Sequence, residues 1–156
     1  MLIGRALLTS SLLLPPRLLP STRLAAVRCL ADGADGSVTG TVYSASADGA
    51  PTVRLFTKAG CTLCDVAKEV LVQAAEERPH TLEAVDIMDA EHAEWFAKYK
   101  FDIPVLHVEG KYWAKHRITL EASLDALAAA QEQRFEASKG EPDAARLERK
   151  PAGPLK

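Results

Sequence analysis

Two cysteines separated by two residues, Cys61 and Cys64, stand where an alternating apolar segment gives way to a helical pattern. Residues 52–57 alternate and are rich in β-forming side chains, so they predict a strand. After the cysteine pair, apolar residues recur at helical spacing as far as Ala74, which predicts a helix. Residues 81–87 alternate again and predict a second strand. A strand, a helix and a strand in this order predict a βαβ unit, in which the two strands run parallel.

The second half of this region predicts a short helix, a hairpin and a last helix. Asp89 is a candidate cap for the short helix, and Thr119 is a candidate cap for the last one. Residues 105–108 and 111–114 flank a Glu109-Gly110 turn and predict the two strands of a β-hairpin. The full order is β-α-β-α-β-β-α, which predicts an α/β fold with a four-stranded mixed sheet and helices on both faces.

Charge separates the N-terminal segment from the rest of the chain. Residues 1–30 contain four arginines and no acid, whereas the remainder holds 15 bases and 21 acids, a charge of about −6. An arginine-containing, acid-free segment rich in Ser and Leu predicts a mitochondrial presequence, with Arg28 three residues before a cleavage near Ala31. This cleavage removes Cys29. A secretory signal and a disordered tail are the alternatives.

The remaining boundaries follow from composition. Residues 31–51 are rich in Gly, Ser and Ala and predict a flexible linker. Residues 52–135 form the predicted domain, and residues 136–156 predict a charged flexible tail. The net charge of −2 argues against a nucleic-acid binder that rests on a global basic field. No uninterrupted apolar run, residues 12–14 included, is long enough to cross a membrane.

The order of elements and the position of Cys-x-x-Cys together resemble the thioredoxin fold, and within it the small glutaredoxin-like proteins. The resemblance covers residues 52–135. It rests on Leu-Phe-Thr-Lys at 55–58, Cys-Thr-Leu-Cys at 61–64, Phe-Asp-Ile-Pro at 101–104 and the hairpin turn. The Ile-Pro pair lies 39 and 40 positions after Cys64, a placement much more specific than Cys-x-x-Cys alone.

The chemistry of the pair follows from its place at the start of a helix. Cys61 meets unpaired amides and the positive end of the helix dipole, and Lys58 adds positive charge three residues upstream. Such sites lower the pKa of a thiol from about 8.5 into a range of about 3.5–7.5, so Cys61 is the candidate nucleophile. Cys64, one turn further, is the candidate resolving thiol. The pair can close a disulfide, and the predicted reaction is thiol–disulfide exchange.

The resemblance also implies roles for Ile103 and Pro104. Pro104 corresponds to the cis-proline of this fold, which places the Ile103 backbone opposite Cys61. There the Ile103 N–H and C=O are available to an extended substrate, as they are to an added strand. Lys58, Ile103 and Pro104 are therefore the candidate substrate-binding residues. The alternative for Pro104 is an ordinary trans proline at the start of an edge strand.

Two departures bear on the substrate. Leu63 stands where glutaredoxins that use glutathione carry Tyr or Phe, and residues 114–117 read Ala-Lys-His-Arg where they carry a Gly-Gly-x-Asp-like turn. The sequence therefore predicts that no cofactor is required, although glutathione remains an option. The predicted substrate is a protein or small-molecule disulfide. The protein is predicted to be a monomer. The bases at 115–117 predict a solvated turn or, alternatively, a clamp for an anionic substrate.

Other functions remain as alternatives at this point. A thioredoxin-fold adaptor without catalytic activity is one, and a glutaredoxin that binds an iron–sulfur cluster is another. No metal site is predicted, because one Cys-x-x-Cys supplies two of the four ligands that zinc needs and the four histidines lie at no ligand spacing. The predicted location is the mitochondrial matrix, with secretory or cytoplasmic alternatives.

Overall fold

The computed structural model describes residues 36–47 and 49–149, which form one mixed sheet flanked by helices. The strands are β1 (Gly40–Tyr43), β2 (Thr52–Thr57), β3 (Thr81–Asp86), β4 (Val105–Val108) and β5 (Lys111–Lys115). The helices are α1 (Thr62–Glu77), α2 (Ala93–Tyr99), α3 (Leu120–Gln131) and α4 (Ala144–Arg149), with a 3₁₀ turn, Ala90–His92, before α2. The predicted presequence, residues 1–30, lies outside the described residues. No helix in the described part of the chain has the length and apolar character needed to cross a membrane.

The strands follow the order β1-β3-β2-β4-β5. β2 and β3 run parallel and are connected by α1, as the βαβ pattern predicts, and the other neighbouring pairs are antiparallel. Phe56 of β2 pairs with Val85 of β3 and with Val105 of β4. The carboxyl ends of β2 and β3 therefore lie at the same sheet edge as the amino end of β4. The loop that carries the two cysteines follows β2 and lies at this edge.

The hydrophobic core lies on both faces of the sheet because successive strand residues point to opposite sides. On one face, Leu55 belongs to a cluster with Leu71 of α1 and Leu127 of α3, and all three are fully buried. On the other face, Phe56 packs against Tyr99 of α2, with ring centroids 5.0 Å apart. Helices thus cover both faces, which confirms the predicted α/β class.

The sheet has five strands, one more than predicted. The extra strand, β1, lies within residues 31–51, which the sequence predicts as a flexible linker, and pairs with β3. Three consecutive β-forming residues, 41–43, are too few to hold a strand in isolation. They are held by this pairing and by Tyr43, whose hydroxyl lies 2.5 Å from His80 Nε2, 37 positions along the chain. Local composition does not reveal a partner so distant.

The predicted cap of the short helix is wrong, whereas the predicted cap of the last helix is confirmed. The Asp89 carboxylate accepts hydrogen bonds from the hydroxyls of Ser37 at 2.8 Å and Thr39 at 2.5 Å, and makes no cap hydrogen bond. Asp89 instead precedes the 3₁₀ turn, and α2 begins at Ala93. Thr119 does cap α3, because its hydroxyl accepts from the Ala122 N–H at 3.2 Å.

Residues 136–149 fold back onto the domain, although residues 136–156 are predicted to be a flexible tail. The Ser138 N–H donates to the Tyr112 carbonyl of β5 at 2.8 Å. Ala144, the first residue of α4, is fully buried, and α4 contacts α2. The residues from 150 onward lie outside the described part of the chain.

A polar network explains why this charged segment docks. The Tyr99 hydroxyl donates to Glu141 Oε1 at 2.5 Å and lies 2.9 Å from His107 Nε2, while Lys98 Nζ lies 2.5 Å from the same carboxylate oxygen. The Tyr99 hydroxyl therefore joins the Glu141 carboxylate to the His107 ring. Burial lowers the pKa of His107, although the Glu141 charge acts in the opposite direction. Burial raises the pKa of Glu141, but hydrogen bonds from Lys98 and Tyr99 outweigh it and lower the pKa below its usual range.

Candidate active site

The cysteine loop occupies the edge where β2 and β3 end and β4 begins. β2 ends at Thr57, and residues 58–61 lead from it to α1. Gly60 has a φ of 71°, a left-handed conformation that glycine adopts without steric penalty and that turns the chain into the helix. β2 and β4 are adjacent antiparallel strands, and Thr57 and Pro104 are the next positions after the Phe56–Val105 pair. The cysteine loop therefore starts beside Pro104.

The two cysteines differ in accessibility. Cys61 is the N-cap of α1, and its sulfur accepts a hydrogen bond from the Cys64 N–H at 3.3 Å. The sulfurs lie 2.10 Å apart and the Cα atoms 5.2 Å apart, so the pair forms a disulfide. Cys61 is partly exposed, whereas Cys64 is fully buried. Amides at a helix start favour negative charge, so the accessible sulfur is also the one whose anion this position stabilises.

The other candidate site residues lie at the same edge. The Ile103–Pro104 peptide bond is cis, as the resemblance implies. Pro104 is buried, and Ile103 is half-buried against the cluster that contains Phe56. Lys58 is exposed at the beginning of the cysteine loop. The structure thus brings these residues together with Cys61, and their roles toward a substrate stay predictions.

Residues 115–117, which we call the basic turn, begin at the last residue of β5 and lie beside Pro104. The His116 N–H donates to the Pro104 carbonyl at 2.7 Å, and the Arg117 N–H donates to the Lys115 carbonyl at 2.8 Å. Asp102 Oδ1 lies 2.5 Å from Lys115 Nζ and 3.4 Å from His116 Nε2. The basic turn is therefore attached to the Ile103–Pro104 segment through both backbone and side chains.

On the opposite side of the cysteine loop, the segment before β1 borders a shallow groove of about 370 Å³. Its lining residues are Gly36, Ser37, Lys58, Ala59, Asp86, Met88 and Asp89. The buried Asp86 carboxylate accepts from the Val38 N–H at 3.2 Å and the Met88 N–H at 2.9 Å. The hydrogen bond from Thr39 is the main cause of the lowered pKa of Asp89. Sequence reasoning missed Ser37 and Thr39, since nothing local distinguishes them from linker residues.

One group of side chains in the described part of the chain approaches a metal-ligand arrangement. Ligand atoms of Asp89, Glu91 and His92 lie within 4.8 Å of one another. Asp89 already accepts two hydroxyl hydrogen bonds, and His92 Nδ1 lies 2.8 Å from the Asp86 carbonyl. Because Asp89 and His92 already make hydrogen bonds within the protein, we assign these three residues a structural role at the end of β3.

Comparison with known proteins identifies the family. A family profile described as "Glutaredoxin-like domain (DUF836)" matches residues 52–130, about half of the chain. A glutaredoxin-like protein of Dictyostelium discoideum is 40% identical over 70 residues, which make up 42% of this chain and 65% of that protein. The chain thus spans slightly less than two thirds of that relative. The profile includes both cysteines, Ile103-Pro104 and the basic turn. This chain belongs to the glutaredoxin-like domain family, and its fold is of the thioredoxin type.

Proposed function

We propose that this protein is a thiol–disulfide oxidoreductase in which Cys61 is the nucleophile and Cys64 the resolving thiol. The observation that carries the proposal is the unequal placement of the two sulfurs. Cys61 is partly exposed at the start of α1, and Cys64 is fully buried one turn further on. A substrate therefore reaches Cys61 first, while Cys64 lies at bonding distance behind it.

The proposed reaction starts from the reduced pair. The Cys61 thiolate attacks one sulfur of a substrate disulfide, a bond forms between Cys61 and that sulfur, and the substrate bond breaks. The leaving thiolate takes up a proton. Cys64 then loses its proton and attacks the Cys61 sulfur, which closes the Cys61–Cys64 disulfide and expels the second substrate thiolate, again with proton uptake. The substrate gains two electrons from the pair, one proton from Cys64 and one from solvent, and an external thiol reductant restores the pair.

Three neighbours assist Cys61 in this proposal. Lys58, exposed at the start of the cysteine loop, contributes positive charge that favours the thiolate. The Ile103 backbone, held next to Pro104, offers its N–H and C=O to an extended segment of the substrate. Their common position at one sheet edge supports these roles.

The wider setting is part of the same proposal. The reaction needs no cofactor, and its substrate is a protein or small-molecule disulfide, with glutathione an option rather than a requirement. We propose a monomer without a nucleic-acid partner that acts in the mitochondrial matrix, a location supported by the basic, acid-free residues 1–30. A fluorescent reporter fused to residues 1–35 tests the location, and a diffuse cytosolic signal would overturn it.

A trapping experiment tests the function. All variants carry Cys29→Ser, so that Cys61 and Cys64 are the remaining cysteines. The reduced Cys64→Ser variant should accumulate a mixed disulfide with an oxidised cysteine peptide, because the resolving step is blocked. Intact-protein mass spectrometry should show this adduct, and tryptic peptides should place it on Cys61.

The matched variant Cys61→Ser, which keeps the buried Cys64, should trap little or nothing. Alkylation rates measured against pH should give Cys61 a pKa below the value of about 8.5 of a free cysteine. If Cys61 titrates like a free thiol and forms no adduct, the oxidoreductase proposal fails, and an adaptor without catalytic activity becomes the better interpretation.

A further inference from the structure

Two cations flank the site without partners in the described part of the chain. Lys58 follows β2 and Arg117 follows β5, and both are exposed. Within residues 36–47 and 49–149, neither side chain forms an ion pair or a hydrogen bond, whereas the neighbouring Lys115 is paired with Asp102. Exposed arginine and lysine side chains beside a reactive sulfur are groups that a charged substrate meets on approach.

The basic turn is held rigidly rather than exposed as a loose loop. His116 has a φ of 65°, in the left-handed region that favours glycine. The His116 N–H bonds to the Pro104 carbonyl, the Arg117 N–H bonds to the Lys115 carbonyl, and Asp102 holds the side chains of Lys115 and His116. A conformation of this kind in a non-glycine residue persists where its surroundings hold it in place. Arg117 is therefore presented from a fixed position next to the Ile103–Pro104 segment.

Nearby acids do not cancel this positive charge. Asp102 pairs with Lys115, so the charge of Arg117 in the basic turn stays uncompensated by it. Asp65 of α1 is paired with Lys68 at 3.5 Å. Asp86 and Asp89 lie on the β3 side, away from β4 and β5, and accept hydrogen bonds from protein groups. The β4–β5 side of the site is therefore positive at neutral pH.

The sheet gives the spacing of the strand ends from which the cysteine loop and the basic turn start. β2 and β5 are separated by β4, and adjacent strands lie about 4.8 Å apart, so their ends are about 10 Å apart. An extended chain advances about 3.3 Å per residue. A substrate segment whose cysteine meets Cys61 thus reaches Arg117 with a side chain about three positions away.

We propose that the basic turn is a specificity site of the Cys61 centre that selects polypeptide disulfides with an acidic residue about three positions from the reactive cysteine. Arg117 binds that carboxylate, and Lys58 favours negative charge in the substrate at the β2 side of the site. This inference rests on the proposed oxidoreductase function. The exposed Phe101, next to Asp102, adds an apolar contact that suits a peptide, since interfaces are enriched in aromatic residues and arginine.

Single-turnover kinetics of the full-length reduced protein test the proposal. The substrates are equal-length peptides whose one cysteine is joined to 2-thiopyridine, so that release of 2-thiopyridone reports attack on the peptide disulfide. One peptide has Asp three positions from the cysteine, one has Asn there, and one has the Asp moved to eight positions away. We expect the first to react fastest. Arg117→Ala should lower the acidic-to-neutral rate ratio about two- to fivefold, and Arg117→Glu about four- to twentyfold.

The control is Arg78→Glu, the same change of charge at the far end of α1, about 25 Å from Cys61 at 1.5 Å per residue. It should leave the rate ratio unchanged. In 1 M salt, where the Debye length is about 3 Å, the preference of the unmodified protein should shrink toward one. A purely structural role for Arg117 would slow all peptides equally and leave both the ratio and its salt dependence intact.

The outcomes separate the two proposals. If the protein reacts with every peptide no faster than its Cys61→Ser variant, the oxidoreductase function itself fails. If it reacts faster than that variant but without preference for the acidic peptide, the function stands and the specificity site is overturned. A glutathionyl thiopyridine disulfide that depends on Arg117 as strongly as the acidic peptide would also overturn the choice of a polypeptide substrate.

Discussion

Removal of one hydroxyl group, by Tyr99→Phe, should destabilise the whole domain. Tyr99 is fully buried, and its ring packs against Phe56 and stacks on Trp95 with centroids 5.5 Å apart, so phenylalanine leaves no cavity. Two hydrogen bonds are lost. A bond to a charged group contributes about 1.5–3 kcal/mol, and a buried polar atom left without a partner, here His107 Nε2, costs about 1–3 kcal/mol. The Glu141 side chain is 35% exposed, so water can replace the lost hydroxyl, and the lost bond to Glu141 lies near about 1.5 kcal/mol. We expect a loss of about 2–4 kcal/mol.

Urea unfolding followed by circular dichroism at pH 7 measures this loss. With an m value of about 2 kcal/mol/M, in the middle of the usual range for urea, the midpoint should fall by roughly 1–2 M. Tyr112→Phe is the matched control. Tyr112 is buried in the same cluster, and its hydroxyl forms no hydrogen bond within residues 36–47 and 49–149, so its loss should stay within about 0.5 kcal/mol. Equal effects of the two substitutions, or a loss below about 1 kcal/mol for Tyr99→Phe, would refute the assigned network.

Three further outcomes follow from packing and protonation. Burial lowers the pKa of His80 and of His107, so below a pH of about 6.5 the unfolded chain binds more protons than the folded one. The free energy of unfolding should therefore fall between pH 7.5 and pH 5, and a flat profile would contradict this. Thr39→Val removes a hydroxyl that ties the segment before β1 to the end of β3, so amide exchange in β1 should quicken while exchange in β4 stays unchanged. Leu127→Ala should cost about 2–5 kcal/mol by urea unfolding, whereas Leu147→Ala, at a 66% exposed position, should stay within about 0.5 kcal/mol; similar losses would argue against the assigned core.

The elements from β2 to α3 could be predicted because each carries its signal in adjacent residues. Thr52–Thr57 alternates as far as Leu55 and is rich in β-forming residues, and Thr119 precedes the helix that it caps. The position of Cys61 and Cys64 at a helix start is equally local, since four consecutive residues and the helical pattern after them predict it. The resemblance to a known fold added the cis state of Pro104, which the dipeptide alone does not reveal.

The two ends of the described chain could not be predicted, because their stability comes from distant partners. Thr39 bonds to Asp86 and Asp89, 47 and 50 positions away, and Glu141 bonds to Tyr99, 42 positions away. Polar pairs at such separations leave no periodic pattern in the sequence. The contact between the basic turn and Pro104 is intermediate in this respect, since it follows from the β4–β5 hairpin once the strand register is known.

The groove beside the cysteine loop has a practical consequence for protein engineering. Gly36 and Ser37 line it together with Lys58 and Ala59, so the polypeptide enters the described domain next to Cys61. Any segment joined directly ahead of Gly36 is tethered there at an effective concentration on the order of millimolar. A cysteine peptide fused at this point acts as a built-in reporter of the redox state, whereas a bulky purification tag competes with incoming substrates. The side on which α4 packs against α2 is the better place for such a tag.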